Sequence, residues 1–229
     1  MLLEPRTIAY ACELHHLPLA LDPLPLQRLH NRLYEAGAPP YPNFALAGEA
    51  VLLSKPAGQP QSVSQIHVQR DRFSFREELT ELTTEEFAER VVTLSTDVAR
   101  ARGVQIFTSQ VVTVRTLVNL RHFRDAREFL RLGMFGFGSE LGVLGREAQL
   151  FGLRLVFPPT STHPNTFHLR VESFAGDNRA LFLENQANFG PLLSARSLEP
   201  VGANIETTYR FLVERVCSFL THFDLRTEA

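Results

Sequence analysis

The strongest pattern in the chain is a change of hydrophobic period between residues 83 and 121. Phe87, Val91, Leu94, Val98 and Ala101 recur at intervals of three and four and form one apolar helical stripe. Thr83 and Glu86 stand at capping-box spacing, with Leu82 and Phe87 placed as a hydrophobic staple, so the spacing predicts a helix that starts at Thr83. Gly103 predicts its stop. From Val104 to Arg121 the period becomes two. Val104, Ile106, Val112, Val114, Val118 and Leu120 share one face, and Gln105, Ser109, Thr113, Arg115, Asn119 and Arg121 the other.

The same two periods divide the rest of the chain. Thr7 to Leu14 predicts a strand, and Asp22-Pro23 opens a helix with Leu26, Leu29 and Leu33 on its stripe, ending at Gly37. After an irregular proline-rich passage, Phe44 to Leu53 predicts one strand and Ser54 to Ser62 a loop. Ile66 and Val68, then Phe73 and Phe75, alternate with polar residues across a tight turn near Asp71, as in a hairpin. Beyond the long strand, Asp125 and Glu128 cap a short helix. A second hairpin is carried by Phe151 to Phe157 and Phe167 to Val171, a further strand by Ala180 to Glu184, and a final helix by about Asn204 to Phe223. The order strand, helix, three strands, helix thus recurs, with halves at 1–103 and 104–229 inside one compact unit, 1–229. Hairpins with one-sided helices predict an α+β fold, a mostly antiparallel sheet with helices on one face.

In element order the chain resembles duplicated strand-helix-strand-strand folds, some of which hold small molecules between their halves. The capped helix, the long strand ending Asn119-Leu120-Arg121 and the aromatic-rich last helix also resemble a sporadically distributed family of uncharacterised bacterial α+β proteins. That resemblance implies a fold and no activity.

Composition narrows the function classes. With 229 residues, 44% of them hydrophobic, the chain can bury a large core; its formal charge of −2 and pI near 6.5 give no global attraction to nucleic acid or membrane. Arg outnumbers Lys 22 to one, Lys55 being the lone lysine. Cys12 and Cys217 are too few for a disulfide framework, the first six residues lack a signal-peptide pattern, and no apolar run reaches a membrane span, so a reducing cytoplasm is expected.

No motif names a reaction. Gly133 to Gly145 contains a GxGxxxG string, but it follows a helix, whereas a dinucleotide site needs a strand before it. Met134, Phe135 and Phe137 in this segment are expected to pack on the core or on a partner. Metal-ligand spacings, a nucleophile elbow and cysteine signatures are absent from the sequence, and neither a cofactor nor a metal is expected. Glu77, Glu78, Glu81, Glu85, Glu86 and Glu89 are taken together as a solvated acidic cluster around the start of the central helix.

The polar strand faces are more informative. If every strand turns its apolar side to the helices, the opposite side carries Gln65, His67, Gln69, Arg72, Arg76, Arg115, Asn119, Arg121, Arg154, His168, Arg170 and Glu172, six arginines against one acid. The first reading is a non-enzymatic cytoplasmic binding protein for a protein partner or small ligand, with homodimerisation through this face or the glycine-rich loop left open. The runner-up is a nucleic-acid or polyanion binder that uses the arginine face.

Overall fold

The computed structural model describes residues 3–37, 39–192, 195 and 197–224. Met1 and Leu2, at the head of the run that lacks a signal-peptide pattern, lie outside the described residues, as does the end of the 1–229 unit beyond Asp224. Among the described residues nine antiparallel strands form one sheet: β1 (Pro5–His15), β2 (Asn43–Ala47), β3 (Ala50–Ser54), β4 (Val63–Val68), β5 (Arg72–Glu78), β6 (Ser109–Asn119), β7 (Gly152–Phe157), β8 (Thr166–Ser173) and β9 (Ala180–Phe189). Their spatial order is β2-β3-β4-β5-β1-β6-β9-β8-β7. Strands from the first part of the chain therefore lie on one flank, strands from the second part on the other, and β1 pairs with β6 where they meet. One buried core runs across that seam, from Val51 and Phe73 to Leu169 and Leu212.

The helices cover one face. Helix α1 (Pro23–Glu35) packs on α2 (Thr84–Arg102), and α2 packs on α4 (Glu199–Arg210), which in turn lies on β6 and β9. The start of α2 has the predicted chemistry: Thr83 Oγ accepts from Glu86 N–H at 3.2 Å, and Glu86 Oε2 accepts from Thr83 N–H at 2.8 Å. Gly103 ends the helix at φ 73°, left-handed geometry in which a Cβ is strained. Phe87, Val91, Leu94 and Val98 of its stripe are buried.

Three sequence expectations are corrected. Phe44 to Leu53 is a hairpin, β2 and β3, rather than one strand: Gly48, at φ 59°, supplies the positive φ that a two-residue hairpin loop requires. The long strand begins at Ser109 and ends at Asn119, so Ile106, assigned to its buried face, is half exposed, and Arg121 lies past its end. The last helix starts five residues early, at Glu199, and passes through a π-helical segment, Phe211–Val216, before α5 (Cys217–Asp224). The short α3 (Ala126–Glu128) is capped by Asp125, whose Oδ1 accepts from Arg127 N–H at 2.7 Å, and also continues into a π-helical turn, Phe129–Met134.

The glycine-rich segment divides in two. Met134 and Phe135 pack against the core, while Phe137 is 41% exposed and Val143 and Leu144, on a 3₁₀ turn at Glu140–Leu144, are 90% and 65% exposed. No helix among the described residues is long and apolar enough to cross a membrane. Cys12 and Cys217 are free and buried, and burial pushes their thiols up to about 12 and about 11, so both remain protonated near neutral pH.

Candidate functional site

With helices on one side only, the polar side of the sheet is open, and strand register decides which of its residues meet. Glu78, Ala9, Arg115, Glu184, Arg170 and Arg154 form one cross-strand row over β5, β1, β6, β9, β8 and β7. Ala9 is too small to separate its two neighbours. Across it, Arg115 Nη1 lies 3.5 Å from Glu78 Oε1, while Arg115 Nε donates to Glu184 Oε2 at 2.6 Å. Arg170 Nη1 lies 3.6 Å from Glu184 Oε1, and its Nη2 donates to Glu172 Oε2 at 2.8 Å. Arg76 Nε donates to Glu78 Oε1 at 2.8 Å. A chain of alternating charge, Arg76-Glu78-Arg115-Glu184-Arg170-Glu172, therefore crosses the centre of the sheet.

Arg72, Arg76, Arg115, Arg154 and Arg170 thus lie on the open face as the alternation requires. Arg121 leaves the set because β6 has ended; its backbone N–H donates to the buried Asp224 at 2.9 Å. The balance of six arginines to one acid is also corrected. Glu13, Glu78 and Glu184 lie on the same face as Glu172, so the arginine excess is far smaller than the alternation alone suggests. Arg72 is 3.7 Å from Glu13 and donates to Gln69. Arg154, by contrast, has no ion pair among those between described residues and stands directly opposite Arg170, a like-charged pair. His67 is partly buried, and that burial, with Arg76 nearby, lowers its pKa; His168 is exposed on the next row.

Above the centre of this row is a recess of about 560 Å³. Its walls include Arg6, Arg115 and Arg170 against Glu78 and Glu184, with apolar surface from Leu117, Phe174 and Phe182. The Arg170 guanidinium sits 5.0 Å from the centre of the Phe182 ring. A break in β1 register between Thr7 and Ala9 inserts Ile8 at the rim, where its carbonyl accepts from Leu79 N–H at 2.8 Å. The aromatic side chains come from Phe174, in the turn after β8, and from Phe182, which shares a row with Leu117 and Glu172.

A second polar cluster was hidden by the assignment of Glu77 to the acidic cluster. Glu77 and Glu78 belong to β5, and Glu77 continues the inward face of Phe73 and Phe75. That alternation, carried two residues further, is the signal that marks it as a carboxylate in a core position. Its side chain is fully buried. Glu77 Oε1 accepts from Tyr41 Oη at 2.6 Å, from Arg90 Nη1 at 2.9 Å and from Ser64 Oγ at 3.0 Å; Oε2 is buried without a partner among the described residues. Burial, followed by the Glu77 charge, pushes the Tyr41 hydroxyl far up, so it remains a donor. Glu77 lines a recess of about 420 Å³ beneath the loop 55–62.

Among the described residues no group of three or more His, Cys, Asp or Glu side chains is placed to hold a metal ion. Comparison of the chain with protein-family models and with characterised proteins finds no match.

Proposed function

We propose that the protein is a non-enzymatic binding protein and that its ligand is a small amphiphilic anion, a carboxylate on an apolar body, held in the recess of the open sheet face. One observation carries this reading: three arginines and two glutamates surround a floor of leucine and phenylalanine in about 560 Å³, a volume suited to a small ligand. The residual positive charge favours an anion. The apolar floor favours a ligand with a hydrocarbon part, and the glutamates hold the guanidinium groups of Arg115 and Arg170 in place before the ligand arrives.

A nucleic acid or other polyanion is the second reading, favoured by Arg154. It meets Arg170 at the β7 end of the row with no carboxylate to neutralise it. The two readings separate in one experiment, a titration with octanoate and with a single-stranded oligonucleotide at several salt concentrations. The first reading expects saturable octanoate binding that Arg115→Gln with Arg170→Gln abolishes. These pairs are partly exposed, so the double variant should lose no more than about 2 kcal/mol. Oligonucleotide binding that weakens steeply with salt and is lost in Arg154→Gln would replace the first reading with the second. Binding of neither probe sinks both.

A further inference from the structure

The structure assigns a second ligand site, independent of the sheet face, to the recess over Glu77: we propose that it takes a small ligand through an ammonium group that donates to Glu77 Oε2. The two oxygens of the Glu77 carboxylate are used unequally. Oε1 accepts three hydrogen bonds, from Tyr41, Ser64 and Arg90, while Oε2, equally buried, accepts none from the described residues. A buried carboxylate oxygen without a donor is rare because it has given up water for nothing. Here the side chain lines a recess of about 420 Å³, so the missing donor can come from a ligand.

The charge of the walls indicates which donor. Glu77, Glu81 and Glu86 stand against Lys55 and Arg90, one negative charge in excess. Glu86 is occupied by the N-cap of α2, and among the described residues Glu81 holds only a 3.5 Å contact from Gln59, so Glu81 is available to a cation. An ammonium group supplies both the hydrogen-bond donor that Oε2 lacks and the positive charge that the recess lacks. A neutral hydroxyl supplies only the first. The exposed loop 55–62 forms one wall of this recess.

The test is a titration of the ¹⁵N-labelled protein with ethanolamine, with ethylene glycol and sodium chloride as controls, followed by amide shifts. Saturable shifts at Ser64, Glu77, Glu81 and Arg90 are expected with ethanolamine alone, weakened about tenfold in Glu77→Gln and measurably weakened in Glu81→Gln. Linear shifts without saturation, equal shifts from ethylene glycol, or affinity unchanged in a folded Glu77→Gln would each overturn the proposal. Should Glu77→Gln not fold, Glu81 lies at the exposed end of the recess and decides alone: wild-type affinity in Glu81→Gln overturns the cationic site. Failure here leaves the octanoate result at Arg115 and Arg170 untouched, so the two readings fail separately.

Discussion

Removing the positive partner of Glu77 should be the most damaging single change on the polar side of the core. Arg90 is 21% exposed and Glu77 not at all, so Arg90→Met strands a buried carboxylate, whereas Glu77→Leu leaves an arginine that can turn to solvent. Breaking a buried pair from the side that leaves the charge inside costs about 3 to 5 kcal/mol. Two hydrogen bonds from Tyr41 and Ser64 remain in Arg90→Met, which places the loss near the low end, about 3 kcal/mol. For a chain of 229 residues this corresponds to a fall in thermal midpoint of roughly 6 to 12 °C. Glu77→Leu should lose about 1 to 2 kcal/mol. The double variant has no stranded charge and should be more stable than Arg90→Met alone, giving a coupling of about 2 kcal/mol. Urea unfolding of the four proteins, read by circular dichroism at constant m-value, measures each corner of the cycle. Additive single losses, or an Arg90→Met loss below about 1 kcal/mol, would refute the reasoning, because Glu77 would then have found water.

Two further outcomes follow from local geometry. Thr83→Ala removes the cap acceptor of α2 and should lose about 1 kcal/mol, read as a lower urea midpoint; no change would mean that the reciprocal Glu86 bond suffices. His16 is buried, with Nδ1 at 2.7 Å from the Leu17 carbonyl and Nε2 at 3.3 Å from Arg102 Nη1, so the ring is a neutral imidazole that donates at Nδ1 and accepts at Nε2. Burial first, then the Arg102 charge, lowers its pKa from the ordinary 6.5. The unfolded chain therefore takes up the proton first: stability from His16 is complete above about pH 6.5 and is lost as pH falls towards the lower folded value. Thermal midpoints measured from pH 7.5 to 5.5 should decline in the wild type and decline less in His16→Gln, the remaining slope coming from His67, whose pKa is also lowered by burial. Asp125 has its pKa lowered, chiefly by Arg127, so its own contribution is lost only in the acid range below that window.

Local periodicity carried much of the architecture. The capping box at Thr83 and Glu86, the stripe of α2, the alternation of Phe73 and Phe75 and that of Val112 and Val114 depend on residues a few positions apart, and each could be placed from the chain alone. So could the side of the sheet on which Arg72, Arg76, Arg115, Arg154 and Arg170 lie, because one buried face sets register within a strand. Glu77 was legible too, but the acidic residues that follow it drew it into the wrong element.

What periodicity cannot supply is the identity of the neighbour. Arg115 is 37 residues from Glu78 and 69 from Glu184 in the chain; they meet because β1 inserts between β5 and β6 with Ala9 at the crossing, and because β9 pairs with β6 in one register. Tyr41 reaches Glu77 from a proline-rich connection of no periodicity at all. A strand's own sequence decides which way each side chain points, since the pleat alternates at every residue. Which charge stands beside it is decided by strand order and long-range pairing, and these are properties of the assembled sheet alone.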